Sequence, residues 1–132
     1  MVVSAHAVIE DGVRLDEGCF IGPGAVIHHY QKNTRIDNLV HVGHDAIIGE
    51  NVVMPAQCAV AGFATVCDHV AFGGQVGVAP LVTIGEGARR SSKSMVHCDI
   101  KPYQIWSGNP SVPHEIYLKA YGRLKRSLRK PS

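Results

Sequence analysis

No run of the 132-residue chain approaches the ~20 consecutive apolar residues that a bilayer-spanning helix needs. The opening stretch, MVVSAHAVIEDG, lacks the basic n-region and the apolar h-region of a signal peptide, so the cytoplasm is the expected compartment. The four cysteines, Cys19, Cys58, Cys67 and Cys98, form no CxxC pair, and their spacings of 39, 9 and 31 residues match no zinc template. Buried free thiols are the simplest reading, and nothing calls for an oxidising compartment. A P-loop, a GxGxxG after a strand, a GxSxG and an HExxH are all absent. Charged residues are sparse at 18%, whereas apolar residues reach 45%; this is a globular composition, not a disordered one, at a length that suits one domain.

Net charge is also small, at +2, but it is unevenly placed. From Val112 onward the chain carries Lys119, Arg123, Lys125, Arg126, Arg129 and Lys130 against Glu115 alone. The tail is therefore +5 and the preceding body −3. Such asymmetry suggests an acidic partner for the tail, although a solvated helix face is as common an explanation.

What the chain does have is a repeat. Every sixth residue from Ile9 is apolar through Leu15, Ile21 and Ile27. A second series runs Ile36, Val42, Ile48, Met54, Val60, Val66, Phe72, Val78 and Ile84, meets the misfit Arg90, and ends at Val96. Period six fits neither a helix nor a simple alternating strand. It fits short strands joined by tight turns, three to a coil, with coils stacked at a strand spacing of ~4.8 Å. Small residues often follow the inward one (Gly22, Gly43, Gly49, Gly73, Gly85), where a Cβ is expected to block the turn. The fold class expected is all-β: a left-handed parallel β-helix of hexapeptide repeats over 1–100, about five coils, followed by a C-terminal turn and a basic amphipathic helix over 101–132. The series slips by three residues at 28–35, either as a bulged loop or as a deletion junction. After Val96 the pattern stops. Pro113 can open a helix of about 113–129 that Pro131 ends, and Tyr117, Tyr121, Leu124 and Leu128 form one apolar stripe suited to packing on the coils.

Eight histidines are many for this length. His44 follows inward Val42 by two residues and should face outward, where an imidazole can act as a base. Asp45 is adjacent in sequence. One coil is eighteen residues, so Gly62 should lie above His44 on the same edge, its amide approachable as an oxyanion donor. A base and an amide donor on neighbouring coils suit acyl transfer to an amine; a histidine that only bonds across a subunit interface has the same spacing.

TRIDNLVHVGHDAIIGENV, then AVAG, GGQVGVAPLVTIGEGA, KSMVHCDI and WSGNPSVPHEIYL closely resemble the UDP-3-O-acylglucosamine N-acyltransferases of lipid A biosynthesis. The resemblance implies transfer of a 3-hydroxyacyl group from acyl carrier protein to the 2-amine of a UDP-sugar acceptor by a homotrimer with active sites between subunits. It implies His44 as catalytic base, Gly62 as oxyanion donor, and Asp37 and Asn38 as groove residues near the carrier arm. No metal and no bound cofactor are implied, since the acyl group arrives on the phosphopantetheine of the carrier protein; the basic helix would dock that acidic protein. Neither nucleic acid nor stable membrane insertion is expected. The chain departs from the family in three ways. It shows no counterpart of the N-terminal uridine-holding domain, it has Leu81 where a second histidine is common, and coils before IDNLV are absent. A truncated, impaired enzyme is one outcome of these departures. A non-catalytic trimeric scaffold competes with it. The related O-acyltransferase of the same pathway shares the HVGHD-like motif, but the GGQVG stretch and the tail favour the N-acyltransferase. A γ-type carbonic anhydrase, with zinc on His41, His44 and His69, is a weaker reading because Gly49 stands where its further histidine belongs.

Overall fold

Alternation over two residues sets the local structure. In strand after strand the first side chain faces solvent and the second is buried, as in His41–Val42, Ile47–Ile48, Val53–Met54 and Ala59–Val60. A turn of four residues then carries the chain to the next face. The computed structural model describes residues 2–9, 20–24, 26–27 and 33–129. Leu15, Cys19, most of the slipped stretch (28–32), Lys130 and Pro131 lie outside the described residues.

Three parallel ladders form the walls of a parallel β-helix. The first face stacks Val2–Val3, Phe20–Ile21, Arg35–Ile36, Val53–Met54, Ala71–Phe72, Arg89–Arg90 and Ile105–Ser107. The second stacks Val8–Ile9, Val26–Ile27, His41–Val42, Ala59–Val60, Gly77–Val78 and Met95–Val96, and the third Ile47–Ile48, Thr65–Val66 and Thr83–Ile84. From Arg35 to Val96 the register is eighteen residues per coil, Arg35 against Val53, Val42 against Val60 and Ile48 against Val66, and the last coil is two residues shorter, Arg89 pairing with Ile105. At the slip, Phe20 pairs with Arg35 and Val26 with His41, fifteen residues on. The ladders are thus continuous there, and that coil is three residues short.

Two inward rows, not one, fill the axis. Val42, Ile48, Val60 and Val66 are fully buried as expected, and so are the residues two places earlier: Val40, Ala46, Val52, Cys58, Ala64, Val70 and Val76. Thr34 stands in this second row with its hydroxyl satisfied, donating to the Gly49 carbonyl at 2.7 Å and accepting from the Val52 amide at 3.2 Å. The expectation of uniformly buried thiols is corrected. Cys58 is buried, and burial pushes its thiol pKa up, but Cys67 is half-buried and Cys98 exposed.

Glycine after the inward residue has a different cause from the one expected. A Cβ on Gly43 would lie 2.6 Å from the Gly62 nitrogen, and one on Gly49 2.8 Å from the Asp68 nitrogen. The next coil leaves no room for it. The left-handed backbone falls two residues later, on Asp45 (φ 54°), Asn51 (54°), Phe63 (59°) and Leu81 (64°).

The ladder also outlasts its sequence pattern. Ile100 bridges to Ile84, and Ile105–Ser107 pairs on Arg89–Arg90, setting Trp106 opposite Arg90. Arg90 keeps its inward place and is 3% exposed; its Nη2 donates to the Ser111 hydroxyl, while Nε and Nη1 have no partner among the described residues. Val112–Pro113 then folds back antiparallel on Trp106–Ser107. The helix spans His114–Leu128, with Pro113 at its N-cap and not in its first turn. Its apolar stripe does not pack on the coils as expected. The helix packs against the Ile105–Ser107 and Val112–Pro113 strands and, through Tyr117, against Gly108, and none of its residues is buried. It follows the last rung of the first ladder, Ile105–Ser107, and its strand contacts are with that rung and the strand that folds back on it. The stripe packs on itself instead, Tyr117 stacking on Tyr121 at 6.0 Å and Lys125 lying 5.4 Å over the Tyr121 ring. No helix among the described residues is long and apolar enough to cross a membrane.

Candidate functional site

The corner between the second and third faces gathers the groups of interest. Val42 faces inward, Gly43 admits the coil above, and the chain turns outward at His44. The left-handed Asp45 brings its carboxylate back to the imidazole, with Nδ1 3.1 Å from Oδ2. A carboxylate can only accept, so Nδ1 carries the hydrogen of the neutral ring and Nε2 keeps its lone pair free.

Gly62 lies one coil on, at the same corner, as the eighteen-residue spacing requires. A Cβ there would sit 2.9 Å from His44 Nε2 and 3.0 Å from Cε1, so the imidazole occupies the space that glycine leaves. The Gly62 carbonyl accepts from the Leu81 amide, while none of the backbone bonds among the described residues uses the Gly62 N–H. Phe63 completes the corner. Its amide donates to the His44 carbonyl at 3.1 Å, and its ring meets the imidazole edge to face, centroids 5.0 Å apart at 87°. Sequence reasoning missed the contacts that Asp45 and Phe63 make with the imidazole, although adding eighteen to 45 points to 63.

A shallow groove runs from this corner across the second face. Its outward column is His41, Ala59, Gly77 and Met95. Ala59 and Gly77 give it a floor without bulk, and Met95 reaches over Gly77, where a Cβ would lie 2.6 Å from Sδ.

Asp37 and Asn38 occupy the other corner of the same coil, between the first and second faces. Asp37 Oδ1 accepts from the Asn38 amide at 2.7 Å, and Asp37 lines a separate groove with Phe20, Arg35, Val53 and Pro55. Within one chain the second face stands between these residues and His44, so the fold unites His44 with Gly62 but not with Asp37 and Asn38. His69 turns the corner from third face to first, one coil above His41 and His44. Among the described residues no group of three His, Cys, Asp or Glu is gathered tightly enough to hold a metal ion.

Six-residue segments with two inward rows and left-handed corners define a hexapeptide-repeat parallel β-helix. The backbone is similar to that of a hexapeptide transferase family protein from Anaplasma phagocytophilum (TM-score 0.69, 19% identity, 96% of this chain and 89% of that one). At sequence level the chain is similar to the UDP-3-O-acylglucosamine N-acyltransferases of Methylobacterium sp. (strain 4-46), 35% identical over 92% of this chain and 35% of that protein, and of Caulobacter sp. (strain K31), 36% identical over 92% and 36%. The chain thus spans about a third of the length of these curated relatives. No family model matches it.

Proposed function

We propose that the chain is the acyl-transferring β-helix of a UDP-3-O-acylglucosamine N-acyltransferase, acting in the cytoplasm as a homotrimer. One observation carries the reading: His44, tethered through Nδ1 by Asp45, presents a free Nε2 in the space left by Gly62. The sequence similarity to the curated relatives supports the choice of reaction.

In this reading the acceptor amine attacks the thioester carbonyl of a 3-hydroxyacyl group borne by acyl carrier protein. Nε2 of His44 takes the proton that the amine loses as the C–N bond forms. The oxyanion that develops on the carbonyl is met by the backbone amide of Gly62. On collapse the C–S bond breaks, and the imidazolium returns its proton to the leaving thiolate. Asp45 holds the ring in the tautomer this sequence needs. Asp37 and Asn38 would contact the carrier arm at a subunit boundary, and the exposed basic face of the C-terminal helix would meet the acidic carrier protein.

The test is to incubate the purified chain with 3-hydroxyacyl carrier protein and UDP-3-O-acylglucosamine, beside His44→Ala. Loss of the base is expected to lower kcat/KM by about 10²–10⁴-fold. A wild-type rate no higher than that of His44→Ala sinks the proposal and leaves a trimeric scaffold as the reading.

A further inference from the structure

The corner one coil above His44 sets an aromatic ring against its imidazole. Positions 45, 63 and 81 form one vertical column, all in the left-handed region. An L-residue other than Gly, Asn or Asp is disfavoured there by about 1–2 kcal/mol. Most corners of this chain use polar residues at the equivalent place, among them Asn33, Asn51, Gln57, Gln75 and Lys93. Position 63 holds a phenylalanine that is 54% exposed. Leu39, Leu81 and Tyr103 also set large exposed side chains at such corners, so exposure alone does not single out Phe63. What the ring does touch is the imidazole of His44, edge to face at 5.0 Å.

We infer that Phe63 is a positioning residue for His44, an exposed aromatic ring kept at a left-handed corner to hold the imidazole over Gly62. The imidazole is itself largely exposed, with 68% of its side-chain surface open, so burial does not fix its rotamer. Two contacts do: the Asp45 carboxylate at Nδ1 and the Phe63 ring against the imidazole plane. Edge-to-face pairs contribute about 0.5–1.5 kcal/mol beyond their buried area, enough to make one rotamer prevail on an open surface. A ring swung away from Phe63 also leaves the space over Gly62, where the base is needed. The purpose assigned to the base rests on the acyl-transfer reading; the contact that orders it does not.

Phe63→Gly and Phe63→Tyr in the full chain test the inference. Glycine removes the ring and also the left-handed strain, so thermal stability is expected to hold or rise. A loss of function in that variant is then not a loss of fold. With carrier-bound acyl donor and UDP-sugar acceptor, Phe63→Gly is expected to lower kcat about tenfold with KM little changed, and Phe63→Tyr to keep the wild-type rate. Independently of turnover, nitrogen-15 shifts of the His44 ring should report the Nδ1-protonated tautomer in wild type and Phe63→Tyr, and values averaged between tautomers in Phe63→Gly. Unchanged ring shifts in Phe63→Gly overturn the inference, and so does an unchanged kcat in an active enzyme. If wild type and His44→Ala are equally inactive, the transfer reading fails while the ring shifts still decide the role of Phe63.

Discussion

The coils from residue 33 to 100 and the cap from 101 to 129 are stabilised in opposite ways. In the coils, residues eighteen apart in sequence are vertical neighbours, and Ile36, Val42, Ile48 and Val66 are completely enclosed. In the cap, the helix packs against the strands and turn just before it, and Leu124 and Leu128 remain 53% and 76% exposed. A repeat couples each segment to the one above and below, so a change inside one coil is felt by its neighbours. A helix at the end of the stack has no such neighbours. Arg90 stands at the junction, in a coil position but bonded to Ser111 of the cap. The same coupling makes the His44 corner: the imidazole, Gly62 and Phe63 meet only because two successive coils are in register.

The largest effect that separates the two regions is expected from Ile48→Ala. Ile48 is fully buried and pairs in register with Val66, so truncation should destabilise by about 2–5 kcal/mol, read by denaturant unfolding. A loss below about 1 kcal/mol, far under that range, would mean that the coils collapse around the cavity and are no tighter than the cap. Next in size is Arg90→Met. Burial of the guanidinium draws its pKa down to about 10, and two of its nitrogens have no partner among the described residues. An apolar side chain of similar length should therefore stabilise the junction by about 1–3 kcal/mol at neutral pH. The sign with pH follows from linkage. From about pH 10 up to the ordinary, higher arginine value the unfolded chain binds more protons than the folded one, so the wild type gains stability as pH rises through that window. The advantage of Arg90→Met should narrow over the same interval. A variant less stable than wild type at neutral pH would show that Arg90 ties coil to cap instead of straining the boundary.

The two regions were also unequally legible. Ile36 through Val96 could be placed from period six alone, because an inward residue in a two-residue strand has no other environment open to it. The same arithmetic puts His44 beneath Gly62. The second inward row was missed although it too recurs every six residues, since its residues (Val40, Ala46, Cys58) are smaller and mark the core less plainly than Ile48 or Met54. The coil glycines were found for the wrong reason: spacing reveals that a small residue is needed, but not that the amide of the next coil sits where the Cβ would be. Asp37 and Asn38 were named through resemblance, which carries no information on which corner of the coil they turn. In the cap, the stripe of Tyr117, Tyr121, Leu124 and Leu128 has helical spacing, but amphipathicity does not say what the apolar side will face.

That last gap gives the smallest expected effect. Leu128 ends the stripe at 76% exposure, and alanine is at least as good a helix former, so Leu128→Ala should change unfolding free energy by no more than about 0.5 kcal/mol. The measurement is the one used for Ile48→Ala, made at several protein concentrations. Agreement at every concentration leaves the helix as an appendage whose apolar stripe is covered only by its own side chains. A cost of several kcal/mol that grows with protein concentration would place the stripe against another copy of the chain, because only association makes unfolding depend on concentration. In that event the contrast drawn between coils and cap would describe one protomer alone, and the cap would be buried in the assembly as the coils are buried in the chain.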